Sequence, residues 1–134
     1  MVKLILGKKG SGKTKHLLEL CAAATAASGG NVVFIEKDDT LTYDLSHKTR
    51  LVSAAEYAVA DFDALYGFIA GMSAGNYDIT DIFVDSTLKI GGGVAGLTSF
   101  VQKLKSLSPN VTLSISADQS EVGAIDDVEI EALS

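Results

Sequence analysis

The 134-residue sequence predicts an α/β fold, a three-layer sandwich with a mainly parallel sheet of about five strands. Three observations carry that reading. Strand-like and helix-like segments alternate along the chain, the order produced when crossover helices join parallel strands. A short apolar run, Val2, Leu4, Ile5 and Leu6, leads straight into the stretch Gly7-Lys8-Lys9-Gly10-Ser11-Gly12-Lys13-Thr14, after which a helical pattern begins. Hydrophobic residues make up 47% of the chain, which suits a sheet covered on both faces.

Taken in order, the first strand is expected over about Val2 to Leu6. The first helix runs from Lys13 to about Ala27, with Gly29-Gly30 as its stop. Asn31-Val-Val-Phe-Ile-Glu36 reads as the second strand, and the polar Thr/Asp-rich stretch from Lys37 to Arg50 as a loop at the carboxyl edge of the sheet. Ser53 and Glu56 have the spacing of a capping box, so a short helix is expected there. Asp61 is placed to cap a clearer helix, in which Phe62, Leu65, Phe68, Ile69 and Met72 share a core face. Gly75-Asn76 ends it. Ile79-Thr-Asp-Ile-Phe-Val-Asp85 is an apolar strand closed by a carboxylate. Gly91-Gly92-Gly93 reads either as a plain linker or as a loop that moves on ligand binding. Val94, Leu97, Val101 and Leu104 form the next helix face, ended by Ser108-Pro109-Asn110, and Val111 to Ser116 is a further strand. The acidic segment 119–134 fits an edge strand at Val128-Glu-Ile-Glu131, which alternates, or a frayed tail. No repeat, low-complexity tract or second domain boundary interrupts residues 1–134.

Composition limits the function classes. Net charge is −6, and no Lys or Arg follows Lys105, whereas Asp118, Glu121, Asp126, Asp127, Glu129 and Glu131 crowd the C-terminal part. Such a surface repels nucleic acid. No apolar run approaches the length of about 18 residues that spans a membrane, and Lys3, Lys8 and Lys9 interrupt any leader-like run, so a cytoplasmic protein is expected. The single cysteine, Cys21, lies among Leu17, Leu18 and Leu20 and reads as a buried structural thiol.

The stretch from Gly7 to Thr14 matches Gly-x-x-x-x-Gly-Lys-[Ser/Thr] in full and has the strand-loop-helix setting which that motif requires. Glycines let the backbone wrap closely enough for successive N–H groups and the helix N-terminus to point at an anion. In this pattern Lys13 reaches the β- and γ-phosphates of a nucleotide, and Thr14 offers its hydroxyl to Mg²⁺. Gly7, Lys8, Lys9, Gly10, Ser11, Gly12, Lys13, Thr14 and Lys15 are therefore the candidate cofactor-binding residues, although Lys8 and Lys9 are not motif positions and read more readily as solvated loop lysines than as added charge over the phosphates. Asp85, at the end of its apolar strand, fits the Walker-B pattern and joins Thr14 as a candidate Mg²⁺ residue. The expected cofactors are ATP and Mg²⁺, and the guanine-reading pattern Asn-Lys-x-Asp does not occur in the sequence.

Three pieces, covering about a quarter of the chain, resemble the core of the RecA-like P-loop ATPases: the loop, Phe34-Ile35-Glu36-Lys37-Asp38, and Val84-Asp85-Ser86. The resemblance implies a carboxylate after the second strand that polarises the attacking water, at Glu36 or Asp38. It also implies a polar γ-phosphate sensor after the fourth strand, at Asp118 or Gln119. With Lys13, Glu36 and Asp38 are the candidate catalytic residues. The sequence departs from the family in lacking its further strands, nucleic-acid loops and oligomerisation segment, and in carrying Ser86 where many related ATPases have a catalytic Glu. The whole chain is also similar to short P-loop ATP-binding proteins of anaerobic Gram-positive bacteria.

Hydrolysis further needs a group that stabilises charge on the transferred phosphoryl. Arg50 is the only arginine, so an arginine finger, within the chain or across a homo-oligomer, would have to be Arg50. His16 reads as solvated and His47 as a loop histidine without an evident partner. The first forty residues also resemble thymidine kinases, but the cysteine-rich zinc lobe of those enzymes is not in the sequence. Three readings follow: a Mg-ATP-binding weak ATPase or nucleotide-dependent switch, a small nucleoside-kinase-like phosphotransferase, and a non-hydrolysing regulatory module with a protein partner.

Overall fold

The computed structural model describes residues 1–38 and 45–134. It is an α/β structure built on a six-stranded sheet. The strands are β1 (Val2–Leu6), β2 (Asn31–Glu36), β3 (Thr49–Ser53), β4 (Ile79–Val84), β5 (Asn110–Ile115) and β6 (Val128–Ala132). The helices are α1 (Lys13–Ala27), α2 (Phe62–Gly75), α3 (Thr87–Gly91), α4 (Leu97–Leu104) and α5 (Gln119–Val122), with single 3₁₀ turns at Ala55–Tyr57 and Val94–Gly96. The sheet order is β3-β2-β4-β5-β1-β6, and every neighbouring pair is parallel.

Alternation along each strand sorts the core onto two faces. Leu4 and Leu6, Val33 and Ile35, Ile82 and Val84, and Leu113 and Ile115 pack against α2 and α4 through Leu65, Ile69, Leu97, Phe100, Val101 and Leu104. The intervening residues Val32, Phe34 and Phe83 meet Leu17 and Cys21 of α1 on the opposite face. Among the described residues, α1 is the one helix packed on this second face, the face to which Asp81 of β4 and Thr112 and Ser114 of β5 belong by alternation. No helix among the described residues is long and apolar enough to cross a membrane.

Several local expectations need correction. The stretch Lys37 to Arg50 is not loop to its end: Thr49 and Arg50 open β3, which adds an outer strand to β2 and brings the count to six. Thr49 is buried and shares a 2.8 Å hydroxyl hydrogen bond with Thr25 of α1, an anchor that only tertiary contact reveals. At Ser53 the Glu56 N–H donates to the serine hydroxyl at 3.3 Å, but only one 3₁₀ turn follows. Asp61 does cap α2, accepting the Ala64 N–H at 2.7 Å. Gly91 is no linker. It is the buried last residue of α3, where an added Cβ would stand 2.2 Å from the Phe62 ring. The acidic C-terminal part supplies β6, in register with β1 from Val2–Val128 to Leu6–Ala132.

Candidate functional site

The carboxyl ends of β1, β4 and β5 converge on the N-terminus of α1. Strand β1 is held between two neighbours, and its register with β5 ends at Leu6–Ile115. The chain then leaves the sheet with the Gly7 N–H still donating to the Ile115 carbonyl at 3.3 Å. The next residues turn back over the sheet end, the Ser11 N–H donating to the Lys8 carbonyl at 3.0 Å. Gly10 and Gly12 sit at φ of 84° and 89°, where a Cβ is strained, so the turn into α1 depends on glycine. Gly12 caps α1 without any side chain, which leaves the leading N–H groups of the helix to whatever enters from solvent. An N-terminus in that condition attracts anions.

Lys13 is only 8% exposed, and its Nζ donates to the Lys8 carbonyl at 2.8 Å and reaches Ser11 Oγ at 3.5 Å. Burial pushes its pKa below the ordinary lysine value; the Asp85 charge opposes this and the Lys89 charge adds to it. Asp85 itself is 4% exposed. Its N–H is tied to the Ile35 carbonyl at 2.9 Å, and its carboxylate accepts the Thr14 hydroxyl at 3.0 and 3.2 Å. The third partner is Ser114 on β5, whose hydroxyl donates to Asp85 Oδ1 at 2.7 Å and accepts the Ser86 N–H at 2.9 Å. Ser86 has φ 56°, a left-handed conformation uncommon for a residue with a Cβ, at the point where β4 gives way to α3.

These groups line an open cleft of about 360 Å³, in which, among the described residues, Lys9, Lys13, Lys15 and Lys89 face one carboxylate, Asp85. In a chain of net charge −6, this is a local positive field suited to an anion. Thr14 and Asp85 offer the hard oxygen ligands that Mg²⁺ takes, one carboxylate and one hydroxyl, with water and ligand oxygens completing such a shell. Among the described residues no group of three or more His, Cys, Asp or Glu side chains could hold a metal unaided. A larger cavity of about 550 Å³ lies elsewhere, between α2 and the strands β2 and β3. Its lining is mainly apolar, so size does not decide which cavity carries chemistry.

The other candidates are placed as follows. Glu36 is buried at the end of β2, on the same face as Phe34 and one position beyond the Ile35–Val84 pair. Asp38 is exposed and 3.8 Å from Lys37. Neither lines the cleft. Asp118 caps α5 in a full capping box with Glu121, and the Ser120 hydroxyl and then the Glu121 N–H hold its pKa below the usual carboxylate value. Gln119 Nε2 donates to the Gly123 carbonyl at 3.0 Å. Both implied sensors thus make local bonds in and around α5, and both also line a cavity of about 270 Å³ with Gly7, Lys8 and Ser11 of the loop. Arg50 lies on β3, four strands from β1, or about 19 Å at the usual strand spacing. His16 is not simply solvated: its Nε2 stands 2.7 Å from Glu131 Oε2, while Lys3 Nζ lies 3.1 Å from the other carboxylate oxygen. His47 is exposed, and burial pushes the Cys21 thiol up, away from reactivity.

Ser114 and Lys89 escape a motif search. Ser114 had a signal in the alternation Thr112, Ser114, Ser116 against Val111, Leu113, Ile115, which gives a central strand one polar face. Lys89 follows Asp85 by four residues, a spacing with meaning only once α3 is known. No protein-family model and no curated protein matches the chain, so the site is read from its own geometry.

Proposed function

We propose that the chain is a P-loop protein with a RecA-like core that binds ATP together with Mg²⁺. The observation that carries the reading is the meeting of Thr14 and Asp85 beside the glycine loop, at 3.0 Å across 71 residues of sequence. A hydroxyl and a carboxylate paired next to a buried lysine and an uncapped helix N-terminus form a donor set for phosphate and a hard divalent cation. The RecA-like assignment is supported by the parallel sheet and by β5, which lies between β1 and β4 and sends Ser114 to Asp85.

On this reading the leading N–H groups of α1 and Lys13 take the phosphate oxygens, and Lys13 exchanges its contact with the Lys8 carbonyl for the nucleotide. Thr14 and Asp85 would hold the cation, and Ser114 fixes the orientation of the Asp85 carboxylate. Mg²⁺ held there would supply positive charge to offset that of the phosphates. Neither Glu36 nor Asp38 lines the cleft; of the two, Glu36 ends a strand paired with β4 and is the candidate tested for orienting a water, whereas Asp38 is exposed beside Lys37.

Phosphate release measured with ATP and Mg²⁺, for the parent and for Asp85→Asn and Glu36→Gln, tests the reading and sorts its branches. Slow turnover lost in both variants supports an ATPase. Tight Mg²⁺-dependent binding without turnover supports a switch or regulatory module, and turnover only with an added nucleoside supports a phosphotransferase. Binding that ignores both Mg²⁺ and Asp85→Asn would overturn the metal assignment.

A further inference from the structure

Sites that handle a terminal phosphate commonly add a second cation to the loop lysine, which itself reaches the β- and γ-phosphates. Arg50 cannot serve within one copy, because three strands separate β3 from β1. Lys89 is placed differently. It belongs to α3, the short helix that starts immediately after Asp85 and Ser86. The helix is pinned from below: Thr87, Ile90 and Gly91 are buried, Gly91 against the Phe62 ring. Its backbone is held at the entry, where the Lys89 N–H donates to the Ser86 carbonyl at 3.0 Å. With the buried side of α3 fixed in this way, the exposed Lys89 lines the same cleft as Lys13 and Asp85.

One further observation bears on its role. Among the described residues the Lys89 side chain has no carboxylate within ion-pair distance, a condition shared by Lys9, Lys13 and Lys15 of the same cleft, whereas Lys3, Lys37, Lys103 and Lys105 each have one. An anion placed between Lys89 and Lys13 would be held by two cations.

We propose that Lys89 is a second phosphate-binding cation of this site, one that contacts the terminal phosphate of a nucleoside triphosphate and sets a preference for three phosphates over two. The proposal rests on the nucleotide-binding reading. Its expected size is that of one charge-assisted hydrogen bond, about tenfold or more in affinity. A lysine that merely adds to the general field would instead weaken triphosphate and diphosphate binding together, in a salt-dependent way.

The test is a titration of MgATP and MgADP into the parent, Lys89→Ala, Lys89→Met, Lys89→Arg and, separately, Lys13→Ala, each shown to be folded by circular dichroism. The proposal expects Lys89→Ala and Lys89→Met to weaken ATP at least about tenfold while ADP changes by no more than about twofold, with Lys89→Arg retaining most of the preference. Equal weakening of both nucleotides, or no change in either, overturns it. If Lys13→Ala abolishes binding while Lys89→Ala leaves the ATP-to-ADP ratio unchanged, the Lys89 role fails and the nucleotide reading stands. If the parent binds neither nucleotide, both fail.

Discussion

Ser114 and Asp85 stand at the carboxyl ends of neighbouring parallel strands, and one serine hydroxyl serves both the Asp85 carboxylate, at 2.7 Å, and the Ser86 N–H, at 2.9 Å. The bond to Ser86 supports a residue at φ 56° that has few other reasons to hold that conformation. Replacing Ser114 by Ala deprives that N–H of its acceptor and Asp85 of a donor. A loss of about 1–3 kcal/mol in urea unfolding is expected, the range for stranding a partly buried polar group. A variant as stable as the parent would show that Ser114 is not needed to hold the turn.

Gly91 and Phe62 give a second test, of the packing beneath α3. A Cβ at Gly91 would stand 2.2 Å from two atoms of a ring that also stacks on Phe100 at 5.0 Å between centroids. Neither ring can retreat easily, so Gly91→Ala is expected to destabilise by about 1–3 kcal/mol, with Phe62→Leu in the same chain returning part of the loss. Thermal melts of the single and double variants check this. A neutral Gly91→Ala would mean that α3 is free to shift.

Glu131 joins β6 to two elements at once. The Lys3 hydrogen bond chiefly holds its pKa below the ordinary 4.5, against an opposing effect of burial second only to that bond, with the His16 and Lys3 charges adding to the lowering. A carboxylate with a depressed folded pKa contributes stability above its unfolded value and loses it as pH falls through the folded one. Glu131→Gln should therefore cost about 0.5 kcal/mol near neutrality, the scale of a half-exposed pair, and the deficit should shrink in high salt. Parent and variant should converge in acid, below the usual glutamate range. Denaturation curves at several pH values check this, and a deficit unchanged by acid would argue against the ion pair.

Much of the fold was legible because local and global signals agree. Val2–Leu6, Lys13–Ala27 and Asn31–Glu36 have the ends the sequence implies, since apolar runs and glycine stops mark both ends. The Asp61 cap was equally plain. Strand β3 was not, because its five residues follow a long polar stretch and gain their partner only from β2 and Thr25. Gly91 looked like part of a linker because a ring that fills the space of a missing Cβ leaves no mark on local sequence. In the candidate site, Thr14 and Asp85 carry motif signals and do meet. Ser114 and Lys89 carry none, since strand order and the start of α3 put them there, and Asp118 also caps α5, a role signalled by its three-residue spacing from Glu121.

The most direct measurement is calorimetric titration of ATP with Mg²⁺ into the folded protein and into Lys13→Ala. Lys13 is the buried cation of the loop, and its replacement removes a charged donor while leaving β1, Gly12 and the start of α1 in place. Saturable binding by the parent is expected, weakened at least about tenfold in Lys13→Ala with the fold retained and reduced when Mg²⁺ is withheld. No heat of binding in the parent, or the same affinity in both proteins, would contradict nucleotide binding at this loop.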